Sequence, residues 1–216
     1  MLVNFSLKVT FQVPLLPTAG KVGFAFPSGH MQSSVVLYGW LITKTKNTFY
    51  QAMIVGLLIS IGFSLVYKGY HNYDDVLAGI FFGVILIRGF MRLANHNNKI
   101  IAWILCSIST LLMFYIAKIY TIESHVWMAY YGLIGLVLSE QCFVKHQKDE
   151  SLYCKLLATF FCFISLIGFK MLFATSIFSA LPMFLKQLEW ALIGFCIPFS
   201  TWISGCLYTK MNTSKY

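Results

Sequence analysis

Apolar runs about the length of a membrane-crossing helix recur along the chain, separated by short polar breaks. They predict seven helices, over residues 29–45, 48–67, 74–95, 100–117, 126–144, 155–177 and 188–208. Each is near the roughly 20 residues that a hydrocarbon core of about 30 Å requires. An eighth apolar stretch, residues 1–16, is interrupted by Lys8 and Pro14 and is too short to cross unaided. It is expected to be the end of a helix. Gly79 and Gly83 form one GxxxG spacing, expected to be a helix-packing face.

Composition narrows the class. Of 216 residues, 58% are hydrophobic and 11% charged, with a mean hydropathy of +0.74. Soluble domains carry about 25% charged residues, so a soluble enzyme, a disordered tail and a disulfide scaffold are excluded. The expected fold is all-α: a polytopic membrane helical bundle of about seven transmembrane helices, with the lipid bilayer as its first partner. The six cysteines form no CxxC pair and lie mostly in apolar runs, where a thiol behaves as a small hydrophobe. The N-terminal MLVNFSLKVTF lacks the basic region and cleavage site of a signal peptide.

The net charge of +9 sorts by side. Alternating loops collect Lys44, Lys46, Arg88, Arg92, Lys99, Lys145, Lys148, Lys155, Lys210 and Lys215 on one face. Lys8, Lys21, Lys68, Lys118 and Lys186 fall on the other. The first set marks the cytoplasmic side. The charge is thus mainly topological, and no nucleic-acid partner is expected, because no soluble basic surface exists to carry one.

Three polar groups fall at span ends on the outer side: Pro27-Ser28-Gly29-His30, His71 with Asp75, and the lysines Lys8, Lys21 and Lys68. His30 and His71 are 41 residues apart. That is about 62 Å of helix rise, or two crossings, so a helical hairpin returns His71 to the side of His30. Ser28 and Gly29 at a helix start offer N–H groups to an anion, and Gly29 admits it closely. The i, i+4 spacing places Asp75 beside His71, where a carboxylate orients the imidazole. The set suits phosphoryl transfer: His71 as nucleophile, His30 as acid on the leaving oxygen, lysines on the phosphate oxygens. Taken singly, each piece has an ordinary reading as a cap, an interfacial pair or a snorkelling lysine. Their convergence where polar groups are costly favours a site.

PSGH at residues 27–30, followed by SLVYKGYHNYDDVLAG at 64–79, resembles the type 2 phosphatidic acid phosphatase family. FAFPSGHMQ is most similar to a bacterial membrane subgroup, whose extra C-terminal helices GLIGLVLSEQCF and the EWALIGF region also resemble. The resemblance implies a membrane phosphatase acting on a lipid phosphate or pyrophosphate without metal or cofactor, in a bacterial inner membrane with the site facing outward. It implies that His71 forms a phosphohistidine, that Asp75 orients it, and that His30 protonates the leaving group. Ser28, Gly29 and Lys8 are then phosphate contacts, and Lys21 and Lys68 are candidate supplements. Residues 1–97 are expected to be the phosphatase-like core and residues 98–216 a four-helix C-terminal extension. The family also carries helices ahead of its first signature. Lys8 lies almost at Met1, so the chain is expected to be a shortened copy or to start at an unusual codon.

Two departures matter. Leu15 and Leu65 stand where the family's signatures have arginine, and Leu16 replaces a proline. A charged hydrogen bond is worth about 1.5–3 kcal/mol, and lysine does not reproduce a bidentate fork. An alternative is therefore a weak or inactive relative that binds an anionic lipid. A third class, a transporter or channel, draws on Lys170 and Glu140 in or near spans, but no repeated broken helices support it.

Overall fold

The computed structural model describes residues 1–17, 23–94, 98–143, 151–175, 178 and 181–213. Its elements are helices: α1 (Leu2–Phe11), α2 (Gly29–Lys44), α3 (Thr48–Tyr67), α4 (Tyr73–Leu93), α5 (Asn98–Ile119), α6 (Ser124–Phe143), α7 (Leu152–Phe173), α8 (Met183–Lys186) and α9 (Leu188–Thr213). The chain is an all-helical integral membrane protein. Among the described residues, α3, α4, most of α5, α7 and the run Met183–Tyr208 are long and apolar enough to cross a bilayer. The other two expected spans are occupied by α2, with 16 residues, and α6, with 20. α6 carries Ser124, His125, Ser139, Glu140 and Gln141, which lower its hydropathy. Only 6% of the spanning window is buried in α3 and 6% in α7, so their apolar side chains face outward, as lipid permits.

The chain divides into two compact units. The first holds Met1–Ile101 and Leu111–Thr121. Its core is Met31, Val35 and Val76, with Leu58, Ile61, Leu65 and Val66 of α3 and Ile80, Val84 and Ile87 of α4 packed around it. The GxxxG pair is what lets α4 approach α2. A Cβ on Gly79 would lie 2.9 Å from the Ser28 carbonyl oxygen, and one on Gly83 would lie 2.8 Å from Val35 Cγ1. α1 does not span. It ends at Gln12, which turns left-handed at φ 51°, and Pro14 then pairs with Phe24 in an isolated antiparallel bridge. Its buried face includes Leu2, Phe5 and Val9, and Phe5 meets Tyr120 with ring centroids 6.2 Å apart.

The second unit holds Ala102–Thr110 and Ile122–Tyr216. α6 and α9 run parallel at close approach: Ser124 bonds Gln187 near one end, and Phe143 packs on Trp202 near the other. Side chains are excluded along this seam. A Cβ on Gly135 would strike the Ala191 carbonyl, and one on Gly194 the Gly132 carbonyl. α7 runs antiparallel to α9, with Lys170 beside Glu189 and Cys154 beside Ser204.

Candidate functional site

The turn between α3 and α4 carries the first histidine. α3 ends in a Schellman motif: Gly69 adopts φ 67°, its N–H donates to Val66, and the Tyr70 N–H donates to Leu65 at 3.1 Å. The reversal brings His71 inward, where it is 6% exposed. Asn72 then caps α4, and Asp75 reaches back to accept the Asn72 N–H at 2.9 Å. The same Asp75 Oδ2 lies 3.4 Å from His71 Nδ1. One carboxylate therefore closes the helix start and holds the imidazole, and it is 3% exposed itself.

The second segment is the start of α2. Ser28 is the N-cap, fully buried, and its Oγ accepts the Met31 N–H at 3.4 Å. The Ser28 N–H donates to the Asp75 carbonyl at 2.9 Å. That backbone bond joins two segments more than forty positions apart and holds the PSGH turn against the His71–Asp75 helix start. Gly29 opens α2, and His30 follows on its exposed side.

α1 completes the site. Lys8, half-buried, donates from Nζ to the Phe24 carbonyl at 2.6 Å. Asn4, 8% exposed, donates from Nδ2 to the Pro27 carbonyl at 3.2 Å and to Gln32 Oε1 at 2.7 Å. A Cβ on Gly29 would lie 2.7 Å from Asn4 Oδ1, so a larger residue here has to displace the Asn4 side chain. Sequence reasoning passed over Asn4 and Gln32. Their signal is a polar residue on the apolar face of a helix flanking a motif.

The field at His71 has opposing parts. Burial pushes its pKa below the ordinary 6.5, and the nearby Lys8 charge pushes the same way. Asp75 opposes both by charge and hydrogen bond, while His30 adds a smaller downward push. The balance favours neutral imidazole near pH 7. The Asp75 carboxylate accepts a hydrogen bond from Nδ1–H, which leaves the Nε2 lone pair open.

Of the residues singled out from sequence, His71, Asp75, Ser28, Gly29, His30 and Lys8 belong to this one region of the first unit. Lys68 caps α3 through its backbone N–H, bonded to Ser64 and Val66, and its side chain is exposed. Lys21 lies outside the described residues. Leu65, in an arginine position of the resembled signature, packs its side chain into the Met31–Val35–Val76 cluster. Leu15 holds the short bridge, its N–H donating to the Gly23 carbonyl at 3.0 Å.

Comparison with known proteins gives one family match. Residues 4–99 match the family model of the PAP2 superfamily. Neither the curated proteins nor the solved structures yield a match.

Proposed function

From the match of residues 4–99 to the PAP2 superfamily model, we propose that the chain is a membrane phosphatase working through a phosphohistidine on His71. That match supports phosphatase activity on phosphate esters. The finer reading rests on the buried His71, oriented by Asp75 at Nδ1 and biased toward its neutral form.

The His71 Nε2 lone pair attacks phosphorus, and the bond from phosphorus to the leaving oxygen breaks. Protonated His30 gives its proton to that oxygen, and Asp75 stabilises the imidazolium that forms. Water then attacks the phosphohistidine and gives a proton to His30. Inorganic phosphate leaves, and His71 is restored. Lys8 and the free N–H groups at the α2 start stabilise the equatorial oxygens.

The substrate class is a lipid phosphate or pyrophosphate, taken from the bilayer by a site at helix ends. Lysine sorting supports an extracytoplasmic site in a bacterial inner membrane. Residues 1–97 are the catalytic core of this proposal, and residues 98–216 its membrane extension.

The weak or inactive alternative draws on Leu65, whose half-buried side chain packs against the core where the resembled signature has a guanidinium. One experiment separates the two. Purified protein in lipid nanodiscs is assayed for phosphate release from phosphatidic acid and from a polyprenyl pyrophosphate, with His71→Ala alongside. Turnover is expected in the wild type and a loss of about a thousandfold or more in the variant, the scale of removing a nucleophile. Turnover that survives in His71→Ala removes the proposed mechanism. No turnover in the wild type favours the inactive reading.

A further inference from the structure

The second unit carries an open groove of about 580 Å³ where α6 begins, α7 ends and α9 begins. Its walls are Met128, Met183 and Trp190, and its polar groups come in two sets. The first is internally neutral. Lys170 Nζ lies 2.6 Å from Glu189 Oε1 and 4.1 Å from the centre of the Trp190 ring, an ion pair seated on an aromatic face. The second pairs a carboxylate with an imidazole. Glu123 Oε2 lies 3.1 Å from His125 Nδ1, so the groove holds two carboxylates against one lysine.

The same wall holds an unpaired acceptor. Gln187 Nε2 donates to Ser124 Oγ at 2.9 Å, but its buried Oε1 has no hydrogen-bond partner among the described residues. Such an oxygen costs free energy until a donor reaches it. An excess carboxylate, an unpaired carbonyl oxygen and an apolar wall together select a cation that donates N–H bonds and sits on a nonpolar stem. The groove lies at helix ends, the level at which lipid headgroups meet a bilayer-spanning protein.

We propose that this groove binds the primary-ammonium headgroup of a membrane phospholipid, with the ammonium between Gln187 Oε1 and Glu123 and the phosphodiester near Lys170. A quaternary ammonium carries no N–H and leaves the Gln187 oxygen unpaired. An anionic glycerol headgroup meets the excess carboxylate. The order of preference is therefore phosphatidylethanolamine, then phosphatidylcholine, then phosphatidylglycerol. The proposal stands apart from the histidine site and from any turnover there.

Native mass spectrometry of the full chain tests it, with the three phospholipids at equal concentration and equal acyl chains. Phosphatidylethanolamine is expected to be retained about tenfold over phosphatidylcholine, the scale of one charge-assisted hydrogen bond. Glu123→Gln and Gln187→Met are each expected to cut that preference several-fold, and together to remove it. Gln187→Glu keeps an acceptor in place and is expected to keep the preference. Equal retention of the three lipids by the wild type overturns the proposal. So does a preference for phosphatidylglycerol, or selectivity that survives in the double variant.

Discussion

In the first unit, buried polar groups gather where helices begin, closing helix starts or bonding one segment to another. Asn4 holds the turn before α2, Asp75 holds the residues before α4, and Ser28 donates its N–H across to α4. In the second unit, the buried Ser200 and Ser204 lie within α9 and bond back to carbonyls of their own helix, at 2.6 and 2.7 Å. A hydroxyl satisfied by its own helix stabilises burial but fixes no geometry between elements. A side chain that bonds across segments fixes where two helix starts lie, which is what a reacting site requires. Both units use glycine for close approach, yet only in the first does the approach bring a helix onto a segment that carries candidate chemistry.

The largest expected effect tests that use of glycine. Gly79→Val puts a Cβ 2.9 Å from the Ser28 carbonyl and 3.1 Å from Met31 Cβ. It should cost about 3 kcal/mol of stability and nearly all phosphate release, since overpacking here displaces the PSGH turn. Gly135→Val, striking Ala191, should lower thermal stability as strongly while retaining more of the turnover. Gly56 has nothing within 4 Å, so Gly56→Ala should leave both unchanged or slightly raise stability. Equal activity losses in Gly79→Val and Gly135→Val would erase the contrast between the units.

A smaller effect is expected at Asn4. Asn4→Leu leaves the Pro27 carbonyl and Gln32 without their donor, a loss of about 1–3 kcal/mol. Turnover should fall by about tenfold or more while substrate affinity changes little, because the variant loosens the α2 start and removes no phosphate contact. A change in KM alone would show that Asn4 serves binding only.

The smallest effect is a shift in pH dependence. Burial and Lys8 hold the His71 pKa below 6.5, so the acid limb of kcat/KM should lie below pH 6.5. Lys8→Met removes one downward push, and the limb should move to higher pH. Stability follows the same sign. The unfolded chain binds a proton at pH values where folded His71 does not, so its contribution is present above about 6.5 and declines as pH falls toward the lower folded value. His71→Gln should flatten that part of the thermal-stability profile. An acid limb that stays in place in Lys8→Met would show that burial alone sets the histidine.

Much of the first unit was legible because its signals are local. The i, i+4 spacing of His71 and Asp75, the serine cap before α2 and the GxxxG spacing each describe contacts within one helix or at its surface. The lysines were less legible. Lys8 and Lys68 look alike in sequence, but α1 folds Lys8 onto the Phe24 carbonyl, whereas the Schellman turn leaves Lys68 exposed. Asn4 and Gln32 were missed because their partners are 23 and 28 positions away, and no short-range spacing encodes that.

The sequence by itself determined that this is a helical membrane protein, and it singled out the residues proposed to carry phosphate-directed chemistry. Hydrophobic period, charge sorting and motif spacing are properties of the chain read along its length. Only the tertiary structure decided that the Ser28 N–H joins the Asp75 carbonyl, that Asn4 lies against Gly29, and that Leu65 packs against the core. It also decided that Glu123, Lys170, Gln187 and Glu189 line one groove. Those are contacts between distant positions, settled by which faces the helices bury against one another.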